Sequence, residues 1–353
     1  MAQPPPPRPQ QGWPQQGWPQ QWQQPGPLAL RPPTPRSSPW PAVAVGLVGL
    51  AMVLGMLVLV DRQPEPTSVT PVTRTTYSPD PTSRPTEPST AATTTSPTAA
   101  PPSTTGAPVL PGRSWDALPA PHSQDPSWLV LQRNELNGQP IPMMACPGVP
   151  DRFTTTGQFK AFATGTLACQ HEGWSTTFAA VGQPLPMPSV TFVTDGVQTP
   201  CGRAGDEVSF YCGTWDGSSY GIYVQMNLLE QSNEWWRLRA FETLAHEFGH
   251  HVQMMNGTMY HSNQLVSTGE LEQTEASRRL ELQTSCWASR LLYQTPATRF
   301  SRADHDELVL WSQEDQDEWH GSAASNQYWW QRGLYMDRVG GCNTWTVDAA
   351  RVG

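Results

Sequence analysis

The sequence predicts an α+β fold, with a small mixed sheet in the first half of a C-terminal domain and helices in the second half. Three observations predict it. From Arg113 onward the chain gathers aliphatic residues, tryptophans and all six cysteines, and that length supports one sizeable core. Short β-branched and aromatic runs, at 189–193 (SVTFV) and 220–226 (YGIYVQM), lie between Gly- and Pro-rich stretches and read as strands. Beyond residue 234, apolar residues recur at steps of three and four, which is the helical period.

The elements follow in chain order. Residues 1–40 repeat a Pro/Gln/Trp unit with too few aliphatics for a core, and read as a disordered cytoplasmic tail. Residues 41–60 read as a transmembrane helix. Pro41 suits its first turn, and the uncharged run at 42–60 spans nearly 30 Å at about 1.5 Å per residue. Trp40 suits the membrane interface, and Asp61 and Arg62 end the run. Arg8, Arg31 and Arg36 precede the run while Arg62 and Arg74 follow it, a bias toward an inside N-terminus. A cleaved signal peptide is the competing reading. The long polar lead and the lack of a small-x-small site favour an uncleaved anchor.

Residues 61–112 are rich in Pro, Ser and Thr and read as a disordered linker, an extended stalk. Residues 113–353 are the folded domain. Its even cysteine count without a CxxC pair points to three disulfides and an extracytoplasmic compartment. The net charge of −9 and the absence of a basic stripe exclude a nucleic-acid partner. Oligomeric state is not legible.

The chemistry lies on a helix predicted over 234–256. Ser232 and Asn233 are its N-cap candidates, and Leu238, Phe241, Ala245, Phe248, Val252 and Met255 form its apolar face. Asn256 and Gly257 are its stop. His246 and His250 stand four apart on one face, so both imidazoles can hold one Zn²⁺ ion. Glu247 can carry a proton between a water and a leaving amine. Gly249 is costly in a helix interior, which implies close packing or substrate there. His251 points elsewhere and reads as a surface residue or a support for a ligand.

Gln253 and Asn256 stand where a three-histidine site would need Gly and His, so a carboxylate from a later helix is the alternative third ligand. That helix is predicted over 270–293, from Ala276, Leu280, Trp287 and Leu291, with Pro296 beyond its end. It carries Glu270, Glu272, Glu275 and Glu281. Only Glu281 sits mid-helix beside the apolar stripe, where an unpaired charge is costly. Pairing of Glu281 with Arg278, Arg279 or Arg290 is the alternative.

These residues resemble a known family, the putative neutral zinc metallopeptidases of bacteria. The matching pieces are the run 244–253 (LAHEFGHHVQ), Arg279 to Gln283 (RLELQ) with Cys286, His320-Gly-Ser322, the run from Trp329 to Gly333, and Cys342. Upstream, Cys201-Gly, Phe210-Tyr-Cys212 and Ile222-Tyr223 look like the family's strand region, so the resemblance covers roughly 115–350. It implies a zincin-like domain with zinc on His246, His250 and Glu281 and with Glu247 as general base. It also implies a substrate-holding edge strand, placed at 220–226.

One departure stands out. The family's Ala-Asp after Glu-Leu-Gln is replaced by Thr284-Ser285, which removes a charge expected to orient a metal-bound histidine. His320 and Tyr223 are candidates for an oxyanion donor. Six cysteines allow fifteen pairings. A short loop favours Cys201–Cys212, Cys286–Cys342 would tie the ligand helix to the C-terminus, and Cys146–Cys169 remains. The expected function is a membrane-anchored zinc metallopeptidase acting on extracytoplasmic peptides or proteins. The rival readings are a catalytically weak surface binding domain and a cell-wall amide hydrolase.

Overall fold

The computed structural model describes residues 110–205, 209–213, 219–314 and 316–353. The tail, the candidate membrane run at 42–60 and most of the linker lie outside them. Among the described residues no helix is long and apolar enough to cross a membrane.

The described fold is α+β, with eight α-helices and a small mixed sheet. The helices are α1 (Pro126–Gln132), α2 (Thr156–Ala179), α3 (Leu228–Glu234), α4 (Arg239–Met255), α5 (Thr258–Thr268), α6 (Gln273–Gln294), α7 (Arg302–Glu314) and α8 (Ala323–Tyr335). The strands are β1 (Ser189–Val193), β2 (Gln198–Thr199), β3 (Gly202–Arg203), β4 (Phe210–Gly213) and β5 (Tyr220–Gln225). β2 and β3 form a short antiparallel pair, and the sheet proper has the order β1-β5-β4. β1 runs parallel to β5, and β4 antiparallel to it.

That order corrects one expectation. The strand near 220–226 is central, so it cannot offer an open edge to a substrate; β4 and β1 are the edges. Tyr211 pairs in register with Ile222, yet its N–H donates to Glu247 on α4, so β4 turns its free edge toward the helix that carries the motif.

The first half also holds a helix that the sequence pattern hid. α2 is 24 residues long and buries Phe159, Phe162, Leu167, Trp174 and Phe178 against the body of the domain, next to α4. Thr155 caps it by accepting from the Gln158 N–H.

The motif helix starts at Arg239, five residues later than predicted. Ser232 and Asn233 do not cap it. Ser232 donates to Leu228 O inside α3, and the Asn233 amide pairs with both backbone groups of Phe153. Between α3 and α4, Trp236 and Arg237 are tied to Asp304, and Arg237 also donates to Thr298 O and Arg299 O. These tertiary bonds outweigh the local preference for one continuous helix.

α4 packs on α6, and α6 on α8. Both contacts need a residue without a side chain. A Cβ at Gly249 would lie 2.9 Å from Thr284 Cγ2, and one at Gly333 would lie 2.0 Å from Cys286 O. The disulfides are Cys146–Cys169, Cys201–Cys212 and Cys286–Cys342. The first pins α2, the second pins β4, and the third joins α6 to the C-terminal segment.

Candidate metal centre

α4 and α6 bring three donor atoms to one point. His246 Nε2 lies 2.9 Å from Glu281 Oε2, and His250 Nε2 lies 3.2 Å from it. The two Nε2 atoms are 3.1 Å apart. Zinc bonded at about 2.0–2.1 Å in a tetrahedron separates its ligand atoms by about 3.3 Å, so these spacings fit the ion closely. Arg278, Arg279 and Arg290 go elsewhere: to Glu318 O, to Glu275 and backbone carbonyls, and to Gln294 and Leu334 O.

The far side of each imidazole is also held. His250 Nδ1 lies 3.0 Å from Gln253 Oε1, and the Gln253 amide in turn donates to Leu280 O and Gln283. His246 Nδ1 lies 3.3 Å from Ser285 Oγ. Ser285 therefore occupies the orienting position, as a neutral acceptor. Thr284 packs on Gly249 and donates to Glu281 O.

The electrostatics suit a cation. Burial opposes ionisation of Glu281, but the charge of His250 and hydrogen bonds from both histidines hold its carboxyl well below the usual range. Burial alone would depress His250; the Glu281 carboxylate outweighs it and raises the imidazole above its usual value.

Glu247 lies on the sheet side of this cluster. Its Oε2 accepts the Tyr211 N–H at 2.7 Å, and burial pushes its carboxyl up against the opposing pull of His246, His250 and that N–H.

His320 lies on the loop before α8, and its charge adds a small pull that lowers Glu281. Asp317 fixes the ring, with both carboxylate oxygens 2.9 Å from Nδ1. The same loop borders a cavity of about 430 Å³, which Arg278, Glu318 and Ser322 also line.

Tyr223 lies on β5, paired in register with Phe210. Strand alternation turns it away from the face that carries Tyr211 and Ile222, and it stacks on Phe210 at 5.1 Å. His251 is fully buried rather than at the surface. Its Nε2 meets Pro186 O at 2.8 Å, and its Nδ1 meets Tyr211 Oη at 3.2 Å.

Sequence reasoning missed Gln253, Asp317 and the Tyr211 N–H. The first two had a signal, since each stands three residues from a histidine it orients. A backbone group brought in from a distant strand leaves none.

Residues 143–309 match the model of the family described as "Putative neutral zinc metallopeptidase". Two curated relatives, each "Uncharacterized protein YpfJ", come from Escherichia coli strains K12 and O6:H1. Each is 29% identical over 136 residues, which is 36% of this chain and 45% of the relative. The chain thus spans under half the length of these relatives. No solved structure matches it.

Proposed function

On the premise that residues 143–309 belong to the zinc metallopeptidase family, we propose that this chain hydrolyses peptide bonds at the centre formed by His246, His250 and Glu281. The supporting observation is the convergence of two Nε2 atoms and one carboxylate oxygen at zinc spacing, with Glu247 held beside them by a strand. Zinc in that seat supplies the Lewis acidity that polarises a peptide carbonyl and acidifies water.

The remaining work falls to side chains. Glu247 takes the proton of the attacking water and returns it to the departing amine. His320, oriented by Asp317, offers an N–H to the developing oxyanion. The outer edge of β4, beside Glu247, is where an extended substrate backbone aligns. The uncharged run at 42–60 anchors the chain in the cell membrane with its N-terminus cytoplasmic, so that substrates are extracytoplasmic peptides or proteins.

The test is cleavage of a mixed peptide library by the zinc-loaded, detergent-solubilised full chain, read by mass spectrometry against Glu247→Gln. Cleavage by the wild type and its loss in the variant are expected. Equal cleavage by both, or none by either, overturns the peptidase reading. Cleavage confined to peptidoglycan fragments would replace it with cell-wall amide hydrolysis.

A further inference from the structure

His251 directly follows a proposed ligand, yet it turns to the sheet side of α4, against Tyr211 and Pro186, and is fully buried. Its hydrogen bonds fix its tautomer. Pro186 O can only accept, so Nε2 carries the hydrogen, and Nδ1 then accepts from the Tyr211 hydroxyl. Burial keeps that hydroxyl protonated and able to donate. The His251 ring also packs against Phe248, Tyr211 and Tyr220, with centroids 5.3–5.5 Å apart.

Tyr211 therefore meets α4 twice. Its hydroxyl reaches His251, and its backbone N–H reaches Glu247 Oε2, one helical turn earlier. β4 is a four-residue strand that pairs with β5 alone among the described residues, and its other tie is the Cys201–Cys212 disulfide; the contacts of Tyr211 are what join it to α4. We propose that His251 and Tyr211 are positioning residues, forming a clamp that sets the placement of β4 on α4 and so aims the Glu247 carboxylate at the reacting atoms. The inference rests on the reading of Glu247 as the proton carrier. The clamp itself can be measured without any activity.

The test compares Tyr211→Phe, which removes only the hydroxyl, with His251→Leu and His251→Asn in the full chain. Asn retains an acceptor where Nδ1 stands. The first readout is native-state amide exchange at residue 211 against Ile222 and Val224 on β5. Tyr211→Phe and His251→Leu are expected to speed exchange at residue 211 roughly five- to tenfold, with β5 unchanged and zinc content intact. His251→Asn is expected to restore part of the protection.

The second readout is peptide turnover, where kcat is expected to fall roughly ten- to a hundredfold at nearly constant KM. Unchanged exchange at residue 211, or a uniform rise across β4 and β5, overturns the clamp. A wild type that cleaves no peptide defeats the peptidase reading, and the exchange result still decides the clamp.

Discussion

The two flanks of α4 treat neighbouring histidines in opposite ways. On the flank facing α6, His250 meets the Glu281 carboxylate, which raises its proton affinity against the pull of burial. On the flank facing the sheet, His251 hydrogen-bonds a carbonyl and a hydroxyl, and burial, helped by the charge of His171, lowers it to about 4. One side is built to hold positive charge and the other to exclude it. The difference lies in what the opposing element supplies: a glutamate from α6, or a tyrosine from β4.

Removing the charge on the first flank should have the largest effect. Glu281→Gln keeps the shape and deletes the anion that faces both imidazoles. Zinc affinity is expected to fall by more than the roughly 10–100-fold typical of losing an outer partner. Competition with a chelator, followed by metal analysis of the purified chain, measures it. Unchanged zinc content would mean that the third donor is another residue.

The second flank carries an acid sensitivity of defined sign. The unfolded chain protonates His251 near pH 6.5, whereas the folded chain resists until about 4. Its contribution is therefore fully present above about 6.5 and is lost as pH falls through that window, by about 3 kcal/mol in total. Denaturant unfolding of metal-free wild type and His251→Asn at pH 7 and 4.5 isolates it. The wild type's advantage is expected to shrink with acid; an advantage constant across that range would show that His251 does not resist protonation.

The same flanks differ in how far they can be read from the sequence. His246, His250 and Glu281 were legible because two helical periods place them, and a helix exposes its faces at fixed spacing. The helices themselves were legible to within a few residues, except where Trp236 and Arg237 delay the start of α4 through bonds to Asp304. The sheet side was not. A strand's rank in a sheet depends on which segments pair at long range, and nothing in the run at 220–226 says that two neighbours flank it. α2 was hidden differently: Gly157, Gly165 and Gly173 lower its apparent propensity, and the pairing of Cys169 with Cys146 helps hold it.

Helix separation offers a smaller test of the first flank. Ala at 249 would gain about 1 kcal/mol of helix propensity, but its Cβ would meet Thr284 at 2.9–3.0 Å. Crowding of that kind costs about 1–3 kcal/mol, so Gly249→Ala is expected to be net destabilising and to push Glu281 away from the histidines. Thr284→Ala should relieve it. A double-mutant cycle on thermal stability and zinc content is expected to show coupling of about 1 kcal/mol. Additive effects would mean that α4 and α6 do not touch there as described.

The smallest expected effect concerns Ser285, where this chain departs from the pattern of the family it resembles. Ser285 stands 3.3 Å from His246 Nδ1 and contributes no charge. Ser285→Asp would place a carboxylate behind the ring, strengthening the hydrogen bond and the basicity of Nε2. Zinc affinity is expected to rise about tenfold, the lower end of what such partners contribute. The opposing cost is burial, because residue 285 is buried and a carboxylate that fails to reach His246 would be an unpaired charge. The sign of the change in chelator competition therefore reports whether the imidazole lies within reach. A gain means that the neutral serine under-uses a correctly placed position, and a loss means that the position itself has moved.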